Sequence, residues 1–192
     1  AEFGLGTSLM QAQRYGYTQM INSAILTNSS YKLRFAQDLT LYLSEIGMDL
    51  PGFDVNAGKK HWLEDTIWQG TRRAIEEIMG ASDYLEQYMA INLAFEPLVG
   101  ELFRSGLIMQ MAAAQGDFIT PSVVSAAEAD YERNLANTVE LIHMLTHDKE
   151  HAAYNQQILN GWLDKHATLA LEAANQLQPI WSQPRVKVAT FT

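Results

Sequence analysis

Residues 82–114 read SDYLEQYMAINLAFEPLVGELFRSGLIMQMAAA. Ala, Leu, Met, Gln and Glu dominate this stretch, and all of them favour the α-helix, so it predicts one long helix. Pro97 lies inside it, lacks an amide donor and presses on the carbonyl of Leu93, which predicts a kink or a π-bulge. We interpret the distortion as a bend that wraps the helix around a core. A distortion placed beside a buried site is the alternative.

The rest of the chain has the same character. Its turn-like clusters are few, and alternating β-branched residues occur only near Val186 and Val188. Long amphipathic helices with short connections favour an all-α bundle. We predict a helical bundle over residues 1–178 and an extended tail over residues 179–192. The predicted helices cover residues 7–27, 30–46, 60–79, 82–114, 120–147 and 148–177.

Composition excludes several classes of function. Of the 192 residues, 47% are hydrophobic and 18% are charged, as in a folded domain. The net charge of −9 makes nucleic acid or an anionic membrane surface a poor partner. The chain has no cysteine, so any metal would be held by carboxylates and imidazoles. No apolar run approaches the roughly 18 residues of a membrane-spanning helix.

The N-terminal sequence AEFGLG has neither an initiator Met nor the features of a signal peptide. We therefore expect the natural chain to begin upstream, with the present residues forming the C-terminal part of a longer subunit. We expect a cytoplasmic location, which the lack of cysteine fits.

One helix carries a candidate metal motif. Glu140 and His143 are three residues apart, which puts a carboxylate and an imidazole on one helix face, and His147 extends the stripe by a further turn. Di-iron bundles use such a Glu-x-x-His pair twice, together with further Glu ligands, and Glu96 could supply one of these. His151, with Asp148 three residues before it, continues the stripe. A solvated or interface helix face is the alternative, because a dinuclear site needs a second such pair on a facing helix and neither His61 nor His166 has an acid three residues before it.

Glu96 lies in the apolar run INLAF and is costly to bury unless it is paired. It could be a bridging metal ligand, or it could pair with Arg34 or Arg133 from another helix. We favour the ion pair.

The segment Ala113-Ala-Gln-Gly-Asp-Phe-Ile-Thr-Pro121 resembles a motif of the bacterial multicomponent monooxygenases, which oxidise methane, propane, alkenes, phenol or toluene. The resemblance extends over essentially the whole chain. Residues 62–80, 85–102 and 134–162 are most similar to the propane-oxidising members. The hydroxylases of this family combine a large iron-bearing α subunit with a small β subunit of related fold.

The resemblance assigns the metal-ligand positions of the catalytic subunits to individual residues of this sequence. The second metal-binding Glu-x-x-His pair of the catalytic subunits corresponds to Tyr131 and Asn134, and the first pair corresponds to Tyr31 and Arg34. The lone Glu of the long helix is retained as Glu96. A remaining Glu position would fall near Glu2.

These replacements imply a ferritin-like bundle with a degenerate, metal-free site and a non-catalytic β subunit. The family then implies a di-iron centre in a partner α subunit, an α2β2-type assembly, a regulatory or coupling protein, and a reductase. Its reaction is the hydroxylation of a small hydrocarbon with O2 and NADH. A self-sufficient di-iron or di-manganese enzyme and a ferritin-like homo-oligomer remain as alternatives.

A subunit of such an assembly should expose apolar or aromatic side chains. We expect them on the helices at 7–27, 30–46 and 82–114. The candidates are Tyr15, Tyr17, Phe35, Tyr42, Tyr88 and Phe103.

Overall fold

The computed structural model describes the backbone of residues 1–182 and the side chains of residues 1–180. Within that range the chain is helical and contains no strand, which confirms the all-α prediction. In this range seven helices are connected by segments of one to seven residues, the two longest of which follow α2 and α5. They are α1 (Glu2–Ala12), α2 (Gln19–Asp49), α3 (Ala57–Glu64), α4 (Thr66–Gly80), α5 (residues 84–111), α6 (Ile119–Thr146) and α7 (Ala152–Ser182).

Helix α5 is not a uniform α-helix. It changes from α-helix at Tyr84–Met89 to π-helix at Ala90–Gly100, and a second π-helical segment spans Arg104–Ile108. Pro97 lies within the first π segment, where the missing amide and the bulky ring disturb the regular hydrogen-bond ladder. The predicted distortion is therefore confirmed, and it covers a whole segment.

The apolar core surrounds α5. Tyr88, Ile91 and Phe95 of α5 are almost completely buried against Leu5 of α1 and Leu177 of α7. Helices α1, α4, α6 and α7 all contact α5, and α2 packs on α1 and α6. The apolar core is thus formed mainly by α5 together with α1, α4 and α7.

The predicted break between the first two helices is wrong. The polar cluster at residues 27–30 lies inside α2, because its side chains find partners there. Asn28 Nδ2 donates to Asn92 Oδ1 at 2.9 Å, and Ser29 Oγ donates to the carbonyl of Gly6 at 2.7 Å. The chain turns earlier, at residues 13–18, and α2 begins where the Thr18 hydroxyl accepts from the amide of Ile21 at 3.2 Å.

Two further boundaries differ from the prediction. The helix predicted over 60–79 is divided at Asp65, whose extended backbone ends α3 and precedes α4. Helix α7 continues through Pro179 to Ser182, so the start of the predicted tail is helical. The rest of that tail lies outside the described residues.

Candidate functional site

A cluster of buried charges links three helices at the centre of the bundle. Glu96 Oε1 of α5 accepts from Lys32 Nζ of α2 at 2.5 Å, and Glu96 Oε2 accepts from Arg104 Nη1 at 2.6 Å. Lys32 Nζ also donates to Glu2 Oε2 of α1 at 3.0 Å. The exposed fractions of the Glu96, Arg104 and Lys32 side chains are 1%, 4% and 9%. We call Glu2, Lys32, Glu96 and Arg104 the central charge cluster.

The cluster holds Glu96 and Lys32 in their charged forms. Burial alone would raise the pKa of Glu96, but the adjacent Lys32 and Arg104 outweigh it, and that pKa is lowered. Burial alone would lower the pKa of Lys32, but the carboxylates of Glu2 and Glu96 outweigh it, and that pKa is raised. Each charge is therefore kept by its partners in a place where an isolated charge would be neutralised.

Gly100 makes the pairing of Glu96 with Arg104 possible. It lies between them on α5, and a Cβ built there would approach Glu96 Oε2 to 2.5 Å and Arg104 Nη1 to 2.8 Å. The side chain of Arg104 runs back toward the helix N-terminus, the direction in which helical side chains tilt. The bare backbone of Gly100 leaves room for the ion pair.

Two more carboxylates surround the outer edge of Arg104. Its Nε donates to Glu128 of α6 at 2.6 Å, and its Nη2 donates to Glu101 at 2.9 Å. Burial, together with the hydrogen bond to Glu101, raises the pKa of Glu128 to about 7. The pKa of Glu101 is lowered, since its hydrogen bonds with Glu128 and Arg104 outweigh burial. The two acids thus favour one shared proton near neutral pH.

An amide network lies beside the central charge cluster. Asn134 Nδ2 of α6 donates to Asn28 Oδ1 at 3.0 Å, and Asn28 in turn donates to Asn92 of α5. Asn92 Nδ2 donates to the Thr138 hydroxyl at 2.9 Å. All four side chains are buried, so the network fixes α2, α5 and α6 relative to one another.

The structure brings four of the predicted site residues together. Tyr31, Glu96, Tyr131 and Asn134 line one cavity between α1, α2, α5 and α6. Its free volume is about 20 Å³, which is room for about one water molecule. The hydroxyl of Tyr131 points to the carbonyl of Asn92 at 3.5 Å, and its ring lies 5.3 Å from the Arg104 guanidinium carbon.

The prediction that Glu96 is buried in an ion pair is confirmed, but the expected partners, Arg34 or Arg133, are wrong. Both guanidinium groups bind Asp130 of α6 instead, from the half-exposed surface of the bundle. Arg34 lies outside the cavity, because α2 turns its Lys32 face, not its Arg34 face, toward Glu96.

The sequence analysis missed Lys32, Arg104 and Asn28. If the helix is predicted to continue through residues 27–30, Asn28, Lys32 and Phe35 are four and three residues apart and therefore lie on one helix face. The break placed at residues 27–30 hid that signal. Arg104 follows Glu96 by two turns on the same helix, which is also visible in the sequence.

The alternative metal set is not brought together. Glu140 and His143 are exposed on α6 and His147 is exposed just after its end, whereas Glu96 is buried at the centre of the bundle. The rings of His143 and His147 stack with centroids 4.0 Å apart. Among the described residues, no group of three or more His, Asp or Glu side chains is placed to hold a metal ion.

The central cavity does not fit a di-iron centre. Both oxygens of Glu96 are engaged by cations, and the cavity lining contains no imidazole. A dinuclear carboxylate site of this fold needs two imidazoles and four carboxylates. The ammonium of Lys32 and the guanidinium of Arg104 supply the positive charge that balances the buried acid.

No helix within the described part of the chain is long and apolar enough to cross a membrane.

The chain is similar in sequence to several known proteins. The model of the methane/phenol/alkene hydroxylase family matches residues 1–149. The chain is 43% identical over all 192 residues to the small subunit of the propane 2-monooxygenase hydroxylase component of Mycolicibacterium smegmatis, covering 52% of that protein. It is 22% identical over 168 residues, 85% of its length, to the methane monooxygenase component A beta chain of Methylococcus capsulatus, covering 43% of that protein.

The fold has a solved counterpart. A structure of toluene 4-monooxygenase with toluene in its resting active site superposes with a TM-score of 0.82 at 23% identity, covering 95% of this chain and 59% of the other. The bundle is therefore ferritin-like, as predicted. The chain spans about half the length of the curated relatives it matches. It belongs to the methane/phenol/alkene hydroxylase family.

Proposed function

We propose that this chain is the non-catalytic small (β) subunit of a monooxygenase hydroxylase component. The central charge cluster is the observation that carries the proposal. In a bundle whose relatives are hydroxylase subunits, Lys32 and Arg104 occupy the space around Glu96 that a metal centre would need. The cluster cross-links three helices, so its role is to hold the scaffold together.

The catalytic chemistry then belongs to a partner. We infer a larger α subunit that carries the di-iron centre and hydroxylates a small hydrocarbon with O2 and NADH. The relatives at 43% identity are named for propane, which makes propane the first substrate to test. An α2β2-type assembly, a regulatory or coupling protein and a reductase complete the proposed system. We also propose a cytoplasmic location, the compartment that supplies NADH.

The surface supports association with a partner. Tyr17 and Met20 are exposed by 91% and 84%, and Tyr15 beside them is also exposed. Phe35 and Tyr88, which we expected at the surface, are core residues instead. A surface that binds another protein typically exposes large apolar side chains as a contiguous patch, so the stretch from Tyr15 to Met20 is the first candidate for the partner contact. Further large apolar side chains at the surface are Phe3, Leu41, Met48, Leu50, Phe118 and Tyr154.

The test is copurification with metal analysis. The full-length protein carrying an affinity tag should retain a larger subunit and, with it, iron. Purified alone, it should self-associate and contain only trace iron. Stoichiometric iron in the chain purified without a partner would overturn the proposal, as would a stable monomer that retains no larger subunit.

Variants on α6 separate the proposal from the metal alternative. His143→Ala and Glu140→Ala remove the exposed candidate ligands without touching the core. Both should leave the iron content of the complex unchanged. Loss of iron in either variant, with the complex still assembled, would favour a metal site in this chain.

A further inference from the structure

One outward side of α2 carries no charge over about six helical turns. Residues at spacings of three and four lie on one face of a helix, and on this face they are all apolar, hydroxyl or amide side chains. All of them are exposed except Leu33, which is half-buried. We call this stripe the outer face of α2. Its members are Leu26, Ser30, Leu33, Gln37, Thr40, Leu41, Ser44 and Met48.

An open groove of about 610 Å³ lies between this face and α1. Phe3 of α1 and Leu41 of α2 line it and are exposed by 69% and 59%. The two helices pack closely there, since a Cβ built on Gly6 would approach the Leu33 side chain to 2.8 Å. The helices therefore form one continuous surface, with large apolar side chains open to water on both walls of the groove. Such grooves are typical of sites that bind another protein.

The hydroxyl groups on the outer face are already used within the helix. Thr40 Oγ1 donates to the carbonyl of Ala36 and Ser44 Oγ donates to the carbonyl of Thr40, both at 2.8 Å. Ser30 Oγ donates to the carbonyl of Leu26 at 2.9 Å. A partner that covers this face therefore leaves none of these three donors unpaired, so little free energy is lost on removing their water.

A row of acids borders the groove. Asp38, Glu45 and Asp49 are seven and four residues apart on α2, and Leu41 lies one turn from both Asp38 and Glu45. None of the three acids has an ion pair among the described residues. The matching partner surface is therefore basic along one edge. A second copy of this chain does not match, because its net charge is −9 and residues 35–58 contain four acids and no Lys or Arg.

We propose that a helix of the larger subunit docks in this groove. Its large apolar side chains pack between Phe3 and Leu41, and its Lys or Arg side chains face the row of acids. This assignment rests on the subunit role proposed above. The contact is additional to the stretch from Tyr15 to Met20.

Competition for the larger subunit tests the groove. Cells express a tagged larger subunit with equal amounts of two full-length small subunits, wild type and variant, and mass spectrometry measures their ratio in the purified complex. Leu41→Glu should lower the variant's share at least about tenfold, because docking would bury an unpaired carboxylate. The matched control is Leu43→Glu, at a position that is also exposed but lies outside the groove, and its share should stay within about twofold of wild type.

The same competition tests the charge. Neutralising the whole row, with Asp38→Asn, Glu45→Gln and Asp49→Asn together, should lower the variant's share by about three- to tenfold. The control makes an equal change of charge at three exposed acids elsewhere and should leave the share within about twofold. These acids are Glu64, Glu77 and Glu150.

Photocrosslinking identifies the occupant. Benzoylphenylalanine incorporated at Ser44 should crosslink to a segment of the larger subunit that contains Lys or Arg among apolar residues. The same probe at Tyr154, exposed on α7, should not reach that segment. A crosslink from Ser44 to a second copy of this chain, or none to the larger subunit, would overturn the docking assignment.

Failure of this assignment and failure of the subunit role give different results. If the wild type assembles with no larger subunit, the subunit role fails and the docking site fails with it. If the wild type assembles and Leu41→Glu competes as well as Leu43→Glu does, only the docking site is wrong. The same holds if the neutralised row competes as well as its control. Circular dichroism of all variants checks that they fold.

Discussion

Lys32 Nζ donates to Glu96 Oε1 over 2.5 Å, although the two residues are 64 positions apart in the sequence. Both side chains are buried in the bundle. Helix α2 contributes the cation and α5 the acid, so neither charge is tolerable unless the two helices pack together. Breaking a buried pair by removing one partner costs more than the pair itself contributes, because the remaining charge stays desolvated. Moving α2 away from α5 would therefore leave an unpaired buried charge, and the free-energy cost of that charge keeps the two helices packed together.

Neutralising the acid should destabilise the protein. Glu96→Gln leaves Lys32 and Arg104 facing an amide, and we expect a loss of about 3–5 kcal/mol in the free energy of unfolding. Urea unfolding measures it. The matched control is Glu76→Gln, which removes an exposed pair with Arg72 and should cost less than about 1 kcal/mol. Equal effects of the two substitutions would contradict the buried pair.

Two glycines should respond with opposite signs to the same change. Gly100→Ala puts a methyl group into the Glu96–Arg104 contact and should destabilise by about 1–3 kcal/mol. Gly161, exposed on α7, has nothing within 4 Å of a new Cβ. Gly161→Ala should therefore stabilise the helix by about 0.5–1 kcal/mol. Thermal melting compares the two variants, and a stabilising Gly100→Ala would refute the close approach.

The acid pair at the edge of Arg104 should give a pH-dependent stability. The pKa of Glu128 is raised in the fold from 4.5 to about 7. The protonated form is therefore favoured by folding, and its contribution is complete below about pH 4.5 and is lost as the pH rises through about 7. Glu128→Gln should flatten the decline of the melting temperature between about pH 5 and 8.

The control for the pH effect is Glu132→Gln, an exposed position one turn further along α6. It should keep the wild-type slope. An unchanged slope in Glu128→Gln would show that other groups produce the pH dependence.

The amide network should be sensitive to a single truncation. Asn28→Ala leaves the Asn92 oxygen and the Asn134 amide without their partner, and each unpaired buried group costs about 1–3 kcal/mol. The urea midpoint should fall with little change in the dependence on denaturant. Ser30→Ala, on the exposed side of the same helix turn, should change stability by less than about 0.5 kcal/mol. Similar small effects from both variants would mean that the network is not structural.

The sequence by itself determined the fold class. The scarcity of turn signals and the excess of helix-forming residues require helices, and Pro97 requires a distortion in α5 wherever that helix packs. The burial of Glu96 also follows from its apolar neighbours along the chain. These are local properties, set by the preferences of residues close in sequence.

Only the tertiary structure decided which groups meet. Asn28 and Ser29 have side chains typical of a turn, yet they remain helical because Asn92 and Gly6, distant in sequence, supply their hydrogen-bond partners. Lys32, and not Arg34, faces Glu96, since a rotation of half a helix turn exchanges the two and only the packing of α2 fixes that rotation. Pairings across helices depend on which faces touch, and a single chain read in order does not contain that information.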